Sequence, residues 1–285
     1  MSIMNYKTIV VHVAGDANAG ARYAFAGELA QSEGAHLIGL ASSDVARFLR
    51  ETVATNSLAP SIAPFLDTLR QRSAQALDAF ERVAAGFTLP GYERRAVDEE
   101  ARFSLGMLAR YGDLCVLSQA DATEGASLPS PGLAAEVAKN SGVPVLLVPC
   151  AQAPAWPLRR ILLGWNGSRE AARAMRFALP LLRRAGAVDV AIFDVDALQS
   201  GGGPELRPVT AVGQALARHG VRADLVLRDD DGGDAGAALL ALAAERGADL
   251  LVMGCYGHSR LRELLLGGAT RTVLRSMTLP VLMAA

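Results

Sequence analysis

The chain has 285 residues, is 51% apolar with 5% aromatic side chains, and carries a formal net charge of −1 at pH 7. That length suits one large or two ordinary domains, each able to bury a core, and the near-zero charge leaves no footprint for nucleic acid or an anionic membrane. No apolar run reaches the length of a membrane span, and the three scattered cysteines, Cys115, Cys150 and Cys255, suggest neither a disulfide framework nor a zinc site.

Met1 runs directly towards a strand with no charged-then-apolar leader, so the expected compartment is the reducing cytoplasm. Thr8 to Val13 is a β-branched run, read as a buried parallel strand. Ala19 to Ser32 reads as an Ala-rich helix stopped by Gly34, and Ala35 to Ala41 as a second strand. Val45 to Ala85 is mostly helical, with breaks around Pro60 and Pro64. Tyr92 to Val97 is a third strand, Asp98 to Tyr111 a helix, and Leu114 to Leu117 a fourth strand. A loop with Pro129 and Pro131 leads to a helix over Leu133 to Asn140 and a fifth strand over Val143 to Val148. Residues 151–157, with Pro154 and Pro157, read as a linker between domains at 1–150 and 158–285.

After the linker the pattern restarts. Arg160 to Trp165 is a strand, and Ser168 is a cap for a helix over Arg169 to Arg184. Val188 to Val195 is a strand, Val209 to His219 a helix, Arg222 to Leu227 a strand and Ala235 to Arg246 a helix. Ala248 to Met253 is a further strand, Arg271 to Met277 the body of a helix, and Leu279 to Met283 the last strand. Subtraction exposes an internal repeat. Ile9 and Ile161, Gly15 and Gly167, Gly34 and Gly186, and Ala35 and Ala187 are all 152 apart. Asp113 and Asp249, Gly132 and Gly268, Val137 and Val273, Pro144 and Pro280, and Val145 and Val281 are all 136 apart. The difference, 152 − 136 = 16 residues, is extra length in the first copy, placed between Val45 and Ala85. Strands alternating with helices predict a parallel α/β sheet in each copy.

The segment from Met253 to Thr270 is where chemistry concentrates. It holds Gly254, Gly257, Gly267 and Gly268 between a strand and a helix. Glycines let a backbone approach closely, and unpaired N–H groups at a helix start face an anion, so this arrangement suits a phosphate. The Walker pattern is absent, the chain's lysines being Lys7 and Lys139 alone, and so is G-x-G-x-x-G. What stands is G-x2-G-x9-G-G. It resembles the universal stress protein family, whose nucleotide-binding members carry G-x2-G-x9-G-[ST] after the fourth strand. Gly268 departs from the family by lacking the hydroxyl, with Thr270 close by in sequence.

With the repeat, the resemblance covers nearly the whole chain. It implies two tandem Rossmann-like domains of the adenine nucleotide alpha hydrolase-like kind, each a five-stranded parallel sheet flanked by helices. It implies ATP, ADP or AMP, with Mg²⁺ as an accompanying ion, held in the second copy by Gly254, Gly257, Gly267, Gly268, Ala269 and Thr270. It places Gly164 and Val195 near the base, Met253 beside the phosphate loop, and Asn166 where the family has an Asp near the nucleotide. Gly167 and Ser168 also serve simply to turn the chain and cap the helix, and both roles are compatible. Aligned positions in the first copy are Ser118, Asp121, Pro131 and Gly132. A carboxylate repels phosphate and a proline offers no N–H, so the first copy is expected to have lost the site.

Other candidates read less sharply. Asp229 to Asp234 offers oxygen ligands for Mg²⁺, but such a run more often forms a solvated turn whose last residue, Asp234, caps the next helix. Arg260, Arg262 and Arg271 suit phosphate oxygens or an exposed charged face equally, and His258 lies among them. Cys255 reads as a packing residue, and Trp165 as a base-stacking or core side chain. No motif for a catalytic base is present, so slow ATPase activity is the most that is expected. The reading is a stress-response protein binding an adenine nucleotide, its two domains pairing within the chain, with a homodimer compatible. The competing reading is a scaffold that binds a protein partner and no nucleotide. An adenylyl-transferring ligase would need a substrate domain for which the chain has no spare segment.

Overall fold

The described residues form ten strands, most of them short runs of Val, Leu, Ile and Ala, divided between two units, Asn5–Ala153 and Pro154–Ala285. The computed structural model describes residues 5–54, 62–120, 132–150, 153–193, 208–228, 233–256 and 268–285. The first unit runs β1 (Thr8–Val13), α1 (Ala19–Glu33), β2 (His36–Ser42), α2 (Val45–Ala54), α3 (Ala63–Ala84), β3 (Tyr92–Val97), α4 (Ala101–Ala109), β4 (Leu114–Ser118), α5 (Leu133–Ser141) and β5 (Val145–Val148). The second runs β6 (Arg160–Gly164), α6 (Arg169–Phe177), α7 (Leu179–Leu182), β7 (Ala187–Phe193), α8 (Pro208–Arg218), β8 (Asp224–Arg228), α9 (Ala235–Arg246), β9 (Leu250–Gly254), α10 (Gly268–Ser276) and β10 (Val281–Ala284).

Within the first unit the strand order is β3-β2-β1-β4-β5, and within the second β8-β7-β6-β9-β10, with parallel pairing throughout. The order reverses at the first strand of each unit, so a crevice opens at the carboxyl ends of β1 and β4, and again at those of β6 and β9. The central strands are covered on both faces, which is why they read as unbroken apolar runs: Ile9, Val10, Val11, Leu114, Val116, Ile161, Leu162, Leu163, Leu250, Leu251 and Val252 are all 0% exposed.

The repeat is built with the same fastenings. Asp113 Oδ2 accepts the N–H groups of Lys7 (2.7 Å) and Thr8 (2.9 Å), and Asp249 Oδ2 accepts those of Arg159 and Arg160, both at 2.8 Å. In both copies a carboxylate one residue before the fourth strand's run satisfies amides at the start of the first. Register corrects two pairings read from the sequence, Gly34 with Gly186 and Ala35 with Ala187. Leu37 pairs with Ile9 and Val188 with Ile161, so β2 and β7 correspond at 188 − 37 = 151. Gly34 and Gly186 are therefore not equivalent. Gly34 caps α1 in the left-handed region at φ 63°, whereas α6 gives way to α7 at Pro180 before the chain reaches Gly186. Pro180, which cannot donate to the preceding turn, also divides the single helix expected over Arg169 to Arg184. Between β2 and β3 the first copy carries α2 and α3, with Pro64 tolerated in the first turn of α3, where the described residues of the second copy carry α8 between β7 and β8.

Candidate functional site

β6 and β9 are neighbours, and they end on Gly164 and Gly254. After β6 the ladder continues for one more bond, from Trp165 N–H to Ala191 O at 2.9 Å. The chain then turns: Ser168 N–H donates to Asn166 Oδ1 at 3.1 Å, and Gly167 takes φ 71°. Ser168 caps α6, its hydroxyl oxygen accepting from Ala171 N–H at 3.1 Å. Asn166 is exposed, with its side-chain oxygen engaged in this turn. After β9, Cys255 N–H donates to Ala284 O at 2.8 Å, Cys255 is 1% exposed, and Tyr256 adopts φ 58°. A non-glycine residue at positive φ marks a sharp departure from the strand.

Gly254 has a packing reason to be glycine. A Cβ there would lie 2.4 Å from Ala171 N and 2.6 Å from the carbonyl carbon of Glu170, so the start of α6 rests directly on it. Gly164 is crowded too: its Cβ would stand 3.1 Å from Leu239 Cδ2 and 3.7 Å from Met253 Cβ. Gly268 differs. It is exposed at the first position of α10, and no described atom lies within 4 Å of where its Cβ would be. Next to it Ala269 is partly exposed and Thr270 is buried.

The candidate residues thus form two groups, Gly164, Met253 and Gly254 at the strand ends, and Gly268, Ala269 and Thr270 at the start of α10. Helix α9 connects them. A Cβ on its Gly236 would lie 2.5 Å from Ala269 O, and its Leu239 touches Gly164. Gly236 and Leu239 are one turn apart, a rise of roughly 4.5 Å, so α9 holds both groups within a few ångströms of one helical turn. Gly236 and Leu239 escape the sequence reading because contact between elements leaves no spacing signature. Val195, Gly257 and Gly267 lie outside the described residues, as do His258, Arg260, Arg262, Asp121, Pro131 and the run Asp229 to Asp231. Asp234 is described, and it caps α9 as expected, accepting from Gly236 N–H (2.8 Å) and Ala237 N–H (3.3 Å). Trp165 is partly exposed, yet its Nε1 is buried and has no hydrogen-bond partner among the described residues. Arg271 lies exposed on α10.

The same place in the first unit is filled differently. Arg22 is 0% exposed. Its Nε donates to His12 O at 2.8 Å, its Nη1 to Asp16 Oδ1 at 3.1 Å and to Ser118 Oγ, and its Nη2 to Asp16 Oδ2 at 2.7 Å. Ser118 ends β4, as Gly254 ends β9. The room for its side chain comes from α1, which begins at Ala19. At the offset of 152 that is position 171, two residues later than the start of α6 at Arg169. The crevice at β1 and β4 therefore contains a closed ion pair. His12, 4% exposed beside it, has its imidazole pushed down to about 3 by burial and then by the Arg22 charge, and so stays neutral.

The second unit is a doubly wound α/β domain whose adjacent strands at the switch point end on Gly164 and Gly254, with an exposed helix start at Gly268. Residues 157–285 match the model of the universal stress protein family. A universal stress protein of Synechocystis sp. is 44% identical over 50 residues, which is 18% of this chain and 17% of that relative. Among solved structures, a universal stress protein from Archaeoglobus fulgidus DSM 4304 superposes with a TM-score of 0.68 at 14% identity, covering 97% of this chain and 95% of that one. A functionally unknown protein from Pseudomonas aeruginosa PAO1 superposes with a TM-score of 0.58 at 16% identity, covering 98% and 92%. These likenesses extend the universal stress protein fold to the whole length of the chain. No described helix is long and apolar enough to cross a membrane.

Proposed function

We propose that the second unit binds one adenine nucleotide, ATP or its di- or monophosphate, as part of a stress response, and that the first unit binds none. The carrying observation is the contrast at equivalent strand ends. In the second unit Gly254 and Gly268 bracket the motif segment, and no described atom crowds Gly268. In the first, Ser118 is tied to a buried Arg22–Asp16 pair. On this reading the amides of Gly268, Ala269 and Thr270 face the phosphates, because the first N–H groups of a helix have no partner within it. Gly257 and Gly267 supply the remaining close approach. Gly164, Met253 and Val195 border the base, and Asn166 stands near the ribose. Mg²⁺ accompanies the nucleotide on phosphate oxygens. The sites named contain no base placed to activate water, so the role is binding, with hydrolysis slow.

The test is calorimetric titration of the whole chain with ATP and Mg²⁺, beside a Gly257→Asp variant that copies Asp121 of the first unit. Binding near one site per chain, abolished in the variant, is the expected result. Two sites per chain would overturn the assignment of the first unit. No binding by protein stripped of carried-over nucleotide would favour a partner-binding scaffold.

A further inference from the structure

We infer that Asp234 and Thr272 form a clamp that sets the position of the α10 start, making Asp234 a positioning residue for the phosphate-binding helix. The inference rests on the nucleotide reading above. The two oxygens of Asp234 serve different helices. Oδ1 accepts from Gly236 N–H at 2.8 Å and Ala237 N–H at 3.3 Å, capping α9. Oδ2 accepts from Thr272 Oγ1 on α10. Immediately beside this bond, Gly236 lets the Ala269 backbone come so close that a Cβ would sit 2.5 Å from Ala269 O and 2.9 Å from Ala269 Cα. One carboxylate and one glycine thus hold the starts of two helices together, and the second start is the one offered to phosphate.

The repeat supplies an independent check. Asp234 directly precedes α9 and Glu100 directly precedes α4, so these are the corresponding cap positions, while at the offset of 136 Ala269 corresponds to Leu133 and Thr272 to Glu136. Glu100 keeps a carboxylate but makes no side-chain cap bond, its oxygens being paired with Arg50 and Arg102. Glu136 bonds Asn140 Nδ2 at 3.1 Å instead, and two carboxylates at these places have no proton to share. The clamp is present in the copy that keeps the glycine motif and missing from the copy that has lost it. Plain helix packing would not discriminate between the copies in this way. α10 also needs such a fastening, since it opens on glycine, which loses more backbone freedom on ordering than any other residue.

The experiment compares wild type, Thr272→Val, Thr272→Ser and Gly236→Ala in the full chain. ATP affinity in the presence of Mg²⁺ and hydrogen exchange of the α10 amides without ligand are both measured. We expect the valine and alanine variants to exchange faster at the α10 start and to bind ATP about tenfold more weakly, the loss typical of a hydrogen bond to a charged group. Serine, which keeps the hydroxyl, should restore both. Equal affinity and equal exchange in all four proteins would overturn the clamp while leaving nucleotide binding intact. If wild type binds no ATP, the nucleotide reading falls, and unchanged exchange in the valine variant would then overturn the clamp on its own.

Discussion

At the scale of single residues, the buried charges of the first unit determine how it responds to acid. His12 is neutral in the fold, its imidazole pushed down to about 3, while an unfolded histidine titrates near 6.5. Between these values the unfolded chain takes up a proton that the native one refuses, so stability present above about 6.5 is lost as pH falls towards 3. The slope approaches about 1.4 kcal/mol per pH unit. The region from about pH 6.5 to 5 is the clean one, because ordinary carboxylates titrate below it. Urea unfolding at several pH values should show that slope in wild type and its loss in His12→Gln. Parallel curves would mean that His12 is not held neutral. The second unit has its own buried charge. Asp189 is 1% exposed, with Arg160 Nε at 3.2 Å and Arg246 Nη1 at 3.9 Å, but neither of its oxygens has a well-directed hydrogen bond. An ion pair of that kind offsets its own desolvation more than it adds stability.

At the scale of elements, two motif glycines should part company. Gly254 lies under the start of α6, and a methyl group there meets backbone at 2.4 and 2.6 Å. Gly254→Ala should cost about 1–3 kcal/mol, as overpacking usually does. Gly268→Ala meets no described atom and has a helical backbone, and should stabilise by up to about 1 kcal/mol. Chemical denaturation of both variants checks this, and equal losses would mean that α6 does not rest on Gly254. This also shows what the sequence could reveal. The central strands were legible because each is a continuous apolar run, and the Ser168 and Asp234 caps because their side chains act on amides two or three residues away. The one-residue slip at Gly186 was not legible, because the glycine recurs in sequence although the helix before it ends differently. Nor were Leu239 against Gly164, Gly236 against Ala269, Thr272 on Asp234, or Arg22 on Ser118, for those contacts join residues far apart in the chain. The motif names the backbone proposed to receive a phosphate, and the fold shows what packs against its described ends.

At the scale of the whole molecule, the chain carries one fold twice with different contents in the two crevices. In the first unit, residues Arg22, Asp16 and Ser118 satisfy one another, so its crevice is complete without a ligand. In the second, the start of α10 is exposed and the indole N–H of Trp165 is buried without a described partner, so groups remain there for a ligand to satisfy. A ligand that binds only the native form stabilises it by RT ln(1 + [L]/Kd), about 2.7 kcal/mol at a hundred times Kd. That energy acts only on openings that break the site. Saturating ATP should therefore slow amide exchange in β6, β9, α9 and α10, and leave β1, β4, α1 and α5 unchanged. Hydrogen exchange followed by peptide mass analysis resolves the two units, since their sequences differ. Protection in the second unit alone is the expected pattern. Protection at β1 and β4 as well would show that the Arg22–Asp16 pair opens to admit a nucleotide, and the first unit would then be a second binding site.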